Sequence, residues 1–100
     1  MTVEASTWRI GIVSVTDIGL FLLERLGLNS DVGSIRVCDS DQGRLDRVTG
    51  AGCERWDDTA DRLIRSDVDV LFFAGEYSAK QISTALELGK HVVINRPWYL

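Results

Sequence analysis

Apolar and polar positions fall into two alternating kinds of block along this chain. Trp8 to Val15, WRIGIVSV, is a nearly unbroken apolar run of β-formers, the pattern of a strand covered on both faces. From Asp17 the run DIGLFLLERLGLN is apolar almost all round until Glu24 and Arg25, which predicts a helix packed between sheet and neighbours, with Gly27 as its stop. After the turn-forming NSDVGS comes a short strand, Ser34 to Asp39, that ends on an acid. Asp41 then caps a weak helix whose apolar residues, Leu45 and Val48, are three apart, closed by Gly50 and Gly52. Cys53 to Trp56 reads as a brief edge strand, and Asp57 and Asp58 as N-cap candidates for a helix with Ala60, Leu63 and Ile64 on one face. Val68 to Phe73 is a buried strand by composition. Ser78 caps a helix with Ile82, Ala85 and Leu86 on its apolar stripe, and Lys80, Gln81, Thr84 and Glu87 facing water. Gly89 ends that helix, and His91 to Asn95 forms the fifth strand.

Strands that alternate with helices from end to end predict a parallel sheet with right-handed crossovers. The expected fold is α/β: a three-layer Rossmann-like domain with about five strands in the order 3-2-1-4-5. Residues 1–7 are expected to fray, and 8–100 to form the single domain. With 100 residues, 45% hydrophobic and 26% charged, the chain has the composition of an ordinary globular domain, and its apolar runs are too short to cross a bilayer. A net charge of -4 argues against a nucleic-acid footprint. No basic segment followed by an apolar one opens the chain, so the expected location is cytoplasmic. Cys38 and Cys53 stand apart from each other and from any histidine at metal-ligand spacing, which reads as two buried reduced thiols and no metal site.

The first strand runs into Ser14-Val15-Thr16-Asp17-Ile18-Gly19, the strand, tight turn and helix opening that cradle a dinucleotide pyrophosphate in G-x-G-x-x-G sequences. Here Ser14 and Thr16 replace the glycines of the tight turn and of the close phosphate approach, while Gly19 keeps the helix-to-strand packing position. A β-branched Thr16 puts atoms in the phosphate's path, although its hydroxyl could donate to a phosphate oxygen. The helix N-terminus still offers amides and a favourable dipole. Asp39 ends the second strand about where an acid would bind adenosine ribose hydroxyls and favour NAD over NADP, and Arg44 lies near enough to soften that preference. Two structural readings stay open beside these: a turn that is now only structural, and an Asp39 that serves ordinary turn chemistry.

Four stretches in order, RIGIVSVTDIG, VCDSD, VDVLFFAG and ALELGKHVVINRP, resemble the N-terminal domain of the Gfo/Idh/MocA oxidoreductases over residues 8 to 98. The resemblance implies an NAD(P)-binding Rossmann domain, with Ala74 and Gly75 joining Ser14 to Gly19 and Asp39 along the cofactor. It also implies a larger substrate domain, and that domain is not among these residues. The family's E-K-P lysine corresponds to Arg96 in Asn95-Arg96-Pro97. Arginine stays protonated, so Arg96 can hold an anion or polarise a carbonyl but cannot shuttle a proton. The loop Ala74-Gly75-Glu76-Tyr77-Ser78 is shorter than the family's, with Ser78 at a histidine position and Glu76 bringing negative charge near the expected pyrophosphate. His91 matches a family histidine away from the chemistry and reads as structural.

The expectation is thus a degenerate or truncated nucleotide-binding domain with weak or lost NAD(P) binding and no independent dehydrogenase activity. Two alternatives are the cofactor-binding subunit of a split sugar or polyol oxidoreductase completed by a partner chain, and a cofactor-free interaction module. A homo-oligomer or partner contact would use the exposed edge from Val92 to Trp98.

Overall fold

The computed structural model describes residues 7–48, 53–56 and 59–95. Five strands, β1 (Trp8–Val13), β2 (Val32–Cys38), β3 (Glu54–Trp56), β4 (Val70–Phe73) and β5 (His91–Ile94), form one sheet in the order β3-β2-β1-β4-β5. Every pairing is parallel, as the strand and helix alternation requires. Between the strands run α1 (Asp17–Gly27), α2 (Gln42–Leu45), α3 (Ala60–Arg65) and α4 (Ala79–Glu87).

The pleat of β1 divides the core into two. Ile10 and Ile12 lie against Ile35 and Val37 of β2 and under Val15, Leu45 and Val48, with Leu20, Leu22, Leu23 and Leu26 of α1 packed on them. Val13 faces the other way, with Cys38, Leu63, Ile64, Val68, Leu71, Phe73 and Ala85 beneath α3 and α4. Leu63, Ile64 and Leu71 of the second cluster are fully buried and Ile12, Val37 and Leu45 of the first are 1% exposed, so each layer has a desolvated centre.

The elements match the sequence pattern with local corrections. α1 is not packed all round, since Ile18 and Phe21 are 42% and 53% exposed on its outer side. α4 buries Ala85 and half-buries Ile82, but Leu86, placed on the apolar stripe by periodicity, is 60% exposed. The helix sits against the sheet through the turn carrying Ala85, and position 86 is rotated off that line. Gln81 and Thr84 are half-buried, not water-facing. α3 is capped by Thr59, whose hydroxyl accepts the Arg62 N–H at 3.4 Å; Asp57 and Asp58, the expected caps, lie outside the described residues, as do Gly50 and Gly52. Ser78 caps α4 as expected and forms a capping box with Gln81. Gly89, at φ +76°, follows the helix end.

At the end of the sheet where the strands begin, charged side chains tie the elements together. Asp69 accepts the Arg9 backbone N–H at 2.8 Å and its Nη2 at 2.9 Å. Arg36 pairs with Asp67 and lies 4.9 Å over the Trp56 ring. Lys90 Nζ donates to the carbonyls of Ser66 and Val68 at 2.5 and 2.8 Å, holding the α3–β4 connection against the start of β5. His91 stands at this same end, its ring 5.8 Å from that of Trp8. The opposite end, where the strands finish, is open.

Candidate functional site

β1 leads to β2 on one side of the sheet and pairs with β4 on the other, so the connections leaving the ends of β1 and β4 diverge. In open α/β sheets that divergence leaves a crevice beyond the carboxyl ends of the strands. Here it is an open cleft of about 1400 Å³. Ser14, Thr16, Asp17, Ile18, Asp39, Ala74 and Gly75 line it, together with Gln42, Arg44, Glu76, Tyr77 and Asn95. Val15 and Gly19 are buried beneath its wall. The nine residues singled out along a cofactor path are therefore gathered in one place, whereas Arg96 lies outside the described residues.

The turn keeps a glycine conformation without the glycine. Ser14 has φ +80°, the left-handed region in which a side chain costs roughly 1–2 kcal/mol. Its N–H donates to the Cys38 carbonyl at 2.9 Å, and the Ala74 N–H to the Val13 carbonyl at 3.0 Å, so both neighbouring strands hold the turn. Gly19 then passes so close that a Cβ there would sit 2.5 Å from the Ser14 carbonyl oxygen. This is the close helix-to-strand approach for which the third motif glycine is needed.

Room for the two new side chains comes from β4's loop. A Cβ at Gly75 would meet Ser14 Cβ at 2.8 Å, Ser14 Oγ at 3.0 Å and Thr16 Cγ2 at 3.1 Å. Side-chain volume at positions 14 and 16 therefore requires its absence at position 75. Ser14 and Thr16 in the turn are matched by a glycine across the cleft, a pairing that neither segment reveals alone.

Thr16 does not offer its hydroxyl to the cleft. Its Oγ1 donates to the Ala74 carbonyl at 2.7 Å and accepts the Gly19 N–H at 3.2 Å, capping α1. The expectation that this hydroxyl could donate to a phosphate is corrected: its one proton is already committed. The Asp17 and Ile18 amides, by contrast, have no hydrogen-bond partner among the described residues, as the first turn of a helix requires.

Asp39 is equally committed. Oδ2 accepts the Val15 N–H and Arg44 Nε, both at 2.8 Å; Oδ1 accepts the Asp41 N–H at 2.8 Å and Arg44 Nη2 at 2.9 Å. The carboxylate is only 1% exposed, against 44% for the Arg44 side chain. Burial alone raises its pKa, but the Arg44 hydrogen bonds and the Asp41 and Val15 amides outweigh that and hold the carboxyl below its ordinary value. A carboxylate has about four acceptor positions, and all of them are used here by Val15, Asp41 and Arg44.

The remaining chemistry near the cleft is quiet. Burial first, then the neighbouring Asp39 charge, pushes the Cys38 thiol up to about 12, where it is protonated and unreactive. Cys38 is buried and Cys53 half-buried, both free, and burial raises Cys53 as well. Among the described residues no group of His, Cys, Asp and Glu could hold a metal ion. Ser78 is occupied in its helix cap, where its Oγ accepts the Gln81 N–H at 3.1 Å. Glu76 lies close enough to Arg44 for their charges to interact. Sequence reading placed Arg44 near Asp39, close enough to soften an NAD preference; its fork around the carboxylate required the geometry.

No family model matches this chain, and no curated protein matches it. Solved structures that share its fold include two dehydrogenases. The apo scyllo-inositol dehydrogenase from Lactobacillus casei superposes with a TM-score of 0.75 at 22% identity, over 95% of this chain and 30% of that one. A proposed myo-inositol dehydrogenase from Sinorhizobium meliloti 1021 gives a TM-score of 0.77 at 23% identity, over 91% of this chain and 28% of that one. The chain spans less than a third of the length of either structure.

Proposed function

We propose that this chain is a nucleotide-binding Rossmann domain of the Gfo/Idh/MocA oxidoreductase type that holds NAD(P) weakly and has no dehydrogenase activity by itself. The observation that carries the reading is the cleft turn: it joins β1 to the N-terminus of α1 at the wall of the cleft, with Ser14 at φ +80°, while its Val15 and Gly19 amides are taken by Asp39 and Thr16 of the same chain. The inositol dehydrogenases that share the fold support the ligand class. In this reading the Asp17 and Ile18 amides receive the pyrophosphate at the positive end of α1, and the adenosine lies beside the Asp39–Arg44 pair. The bound nicotinamide would supply hydride-transfer chemistry; the residues described here bind and orient. Binding is weak because fewer amides face the ligand and Thr16 carries atoms where backbone should approach it.

Isothermal titration of the full chain with NADH and NADPH tests this. Dissociation constants from about 0.1 to a few millimolar are expected, well short of the micromolar range that the extra donors of an intact turn would support. Micromolar or tighter binding would refute the weak-binding claim, and no binding at several millimolar would refute the nucleotide-binding one. Oxidation of polyols by the chain alone would contradict the last part.

A second reading has its own observation. Among the described residues β5 is an edge strand, with Val93 and Ile94 46% and 39% exposed, an apolar edge suited to a partner chain or a second copy. It predicts a concentration-dependent dimer, or activity on mixing with a partner chain that supplies a substrate domain; a monomer by sedimentation at high concentration counts against the dimer.

A further inference from the structure

We propose that the α1 side of β4 and β5 receives α1 of a second copy of this chain, in a two-fold dimer whose two α1 helices lie side by side between the two sheets. The inference rests on the second reading above, association with another copy, and moves the contact from the edge of β5 to a face of the sheet.

α3 and α4 cover one face of the sheet out to β5, whereas on the other face α1 packs on β1 and β2. Two rows of side chains cross that second face in register, Ile10–Val70–His91 and Ile12–Phe72–Val93. Each row passes from buried at β1 through half-buried at β4 to exposed at β5. Beside α1 the uncovered half forms a hollow of about 250 Å³ between Trp8, Leu26, Val70, Phe72 and His91. Its centre lies two strands from that of β1 and β2, about 10 Å, which is the distance at which two helices pack side by side. The same side of the molecule carries the complementary ridge. Ile18, Phe21 and Leu28 stand exposed on α1, and the last two point away from its own sheet, opposite Gly19, Leu23 and Leu26. Glu24 and Arg25 lie between them with opposite charges, and Arg25 stacks 5.2 Å over the Phe21 ring.

A foreign helix in the groove would leave Phe21 and Leu28 in water. A two-fold axis along α1 instead buries ridge and groove of both copies at once, a self-complementary contact. Such an axis preserves height along the sheet. Phe21, one turn in from the cleft end, is thereby set against Phe72 and Val93 of the other copy, and Leu28, at the far end, against its Trp8 and His91. Trp8, Ile18, Phe21, Leu28 and Val93 are between 42% and 78% exposed. At about 200 Å² for an aromatic side chain and somewhat less for an aliphatic one, their open area is roughly 400–500 Å² per copy. A standard interface takes about 800 Å² from each partner, a little over half of it apolar, so this surface supplies the apolar share.

Sedimentation velocity of the full chain over a range of about 5 to 500 µM tests this. The expected result is a monomer–dimer equilibrium with a dissociation constant of about 10–100 µM. Phe21→Lys and Val93→Glu, both at exposed positions, should each weaken it about tenfold or more. An equimolar mixture of the two variants should dimerise again, because one of its two contacts between positions 21 and 93 joins the new opposite charges and the other is unchanged. Leu86→Lys, at an exposed position of α4 on the opposite face, should associate like the wild type. A mixture that stays monomeric would overturn the proposed pairing. A dimer that survives Phe21→Lys with unchanged circular dichroism would overturn the face contact and leave association at the β5 edge standing. A wild-type chain still monomeric at about 500 µM would refute the face contact and the second-copy reading together.

Discussion

Removing the Thr16 hydroxyl isolates what the turn does for the fold. In Thr16→Ala, α1 loses its cap on the Gly19 N–H, a change that costs about 1 kcal/mol in comparable helices. The Ala74 carbonyl loses its 2.7 Å donor in a residue only 2% exposed, which adds about 1 kcal/mol, at the low end for an unsatisfied buried acceptor because the cleft admits water. The sum is about 2 kcal/mol, or a fall in Tm of roughly 10 °C for a domain of this size. Thr16→Ser keeps both hydrogen bonds and loses one methyl, so it should fall by less than about 1 kcal/mol. Equilibrium urea unfolding followed by tryptophan fluorescence gives both numbers. If Thr16→Ala and Thr16→Ser were equally stable, the hydroxyl would not be the bridge between α1 and the end of β4, and the account of the turn would fail.

Gly75→Ala should destabilise by about 1–3 kcal/mol through its clash with Ser14, and adding Ser14→Gly should recover much of the loss; effects additive to within about 0.3 kcal/mol in a double-mutant cycle would refute the contact. Because the folded-state pKa of Asp39 is depressed, its ionised form contributes stability that is present above the unfolded carboxyl value and lost as pH falls through the folded one. The stability gap between wild type and Asp39→Asn should accordingly be flat from pH 7 to 5 and narrow below about pH 4, near the ordinary Asp pKa. A gap that stays constant down to pH 3 in urea titrations would remove Asp39 as the source.

How much of this molecule was legible beforehand differs between fold and site. Strand and helix alternation, with apolar runs at β1 and β4, determines a parallel sheet in the order 3-2-1-4-5, because crossover handedness and burial leave few alternatives. Ser14, Thr16 and Asp39 were singled out from spacing alone, and the structure brings them to one cleft. Their hydrogen-bond state was not. Thr16 meets Ala74 across 58 residues, and Asp39 meets Val15 across 24, so neither contact leaves a local signal. Leu86 shows the same limit on a helix, where periodicity names a stripe but only packing decides which edge of it touches the sheet.

The chain by itself therefore determined the scaffold and which residues gather at its open end. Tertiary structure decided what that place has left to offer: a turn in glycine conformation built on Ser14, a Thr16 hydroxyl with its proton spent, and an acid whose four acceptor positions are filled while the arginine beside it keeps free donors. Residue type and spacing set which groups can bind, but whether a donor or acceptor is still unpaired depends on backbone brought in from other elements, and that exists only once the sheet has formed.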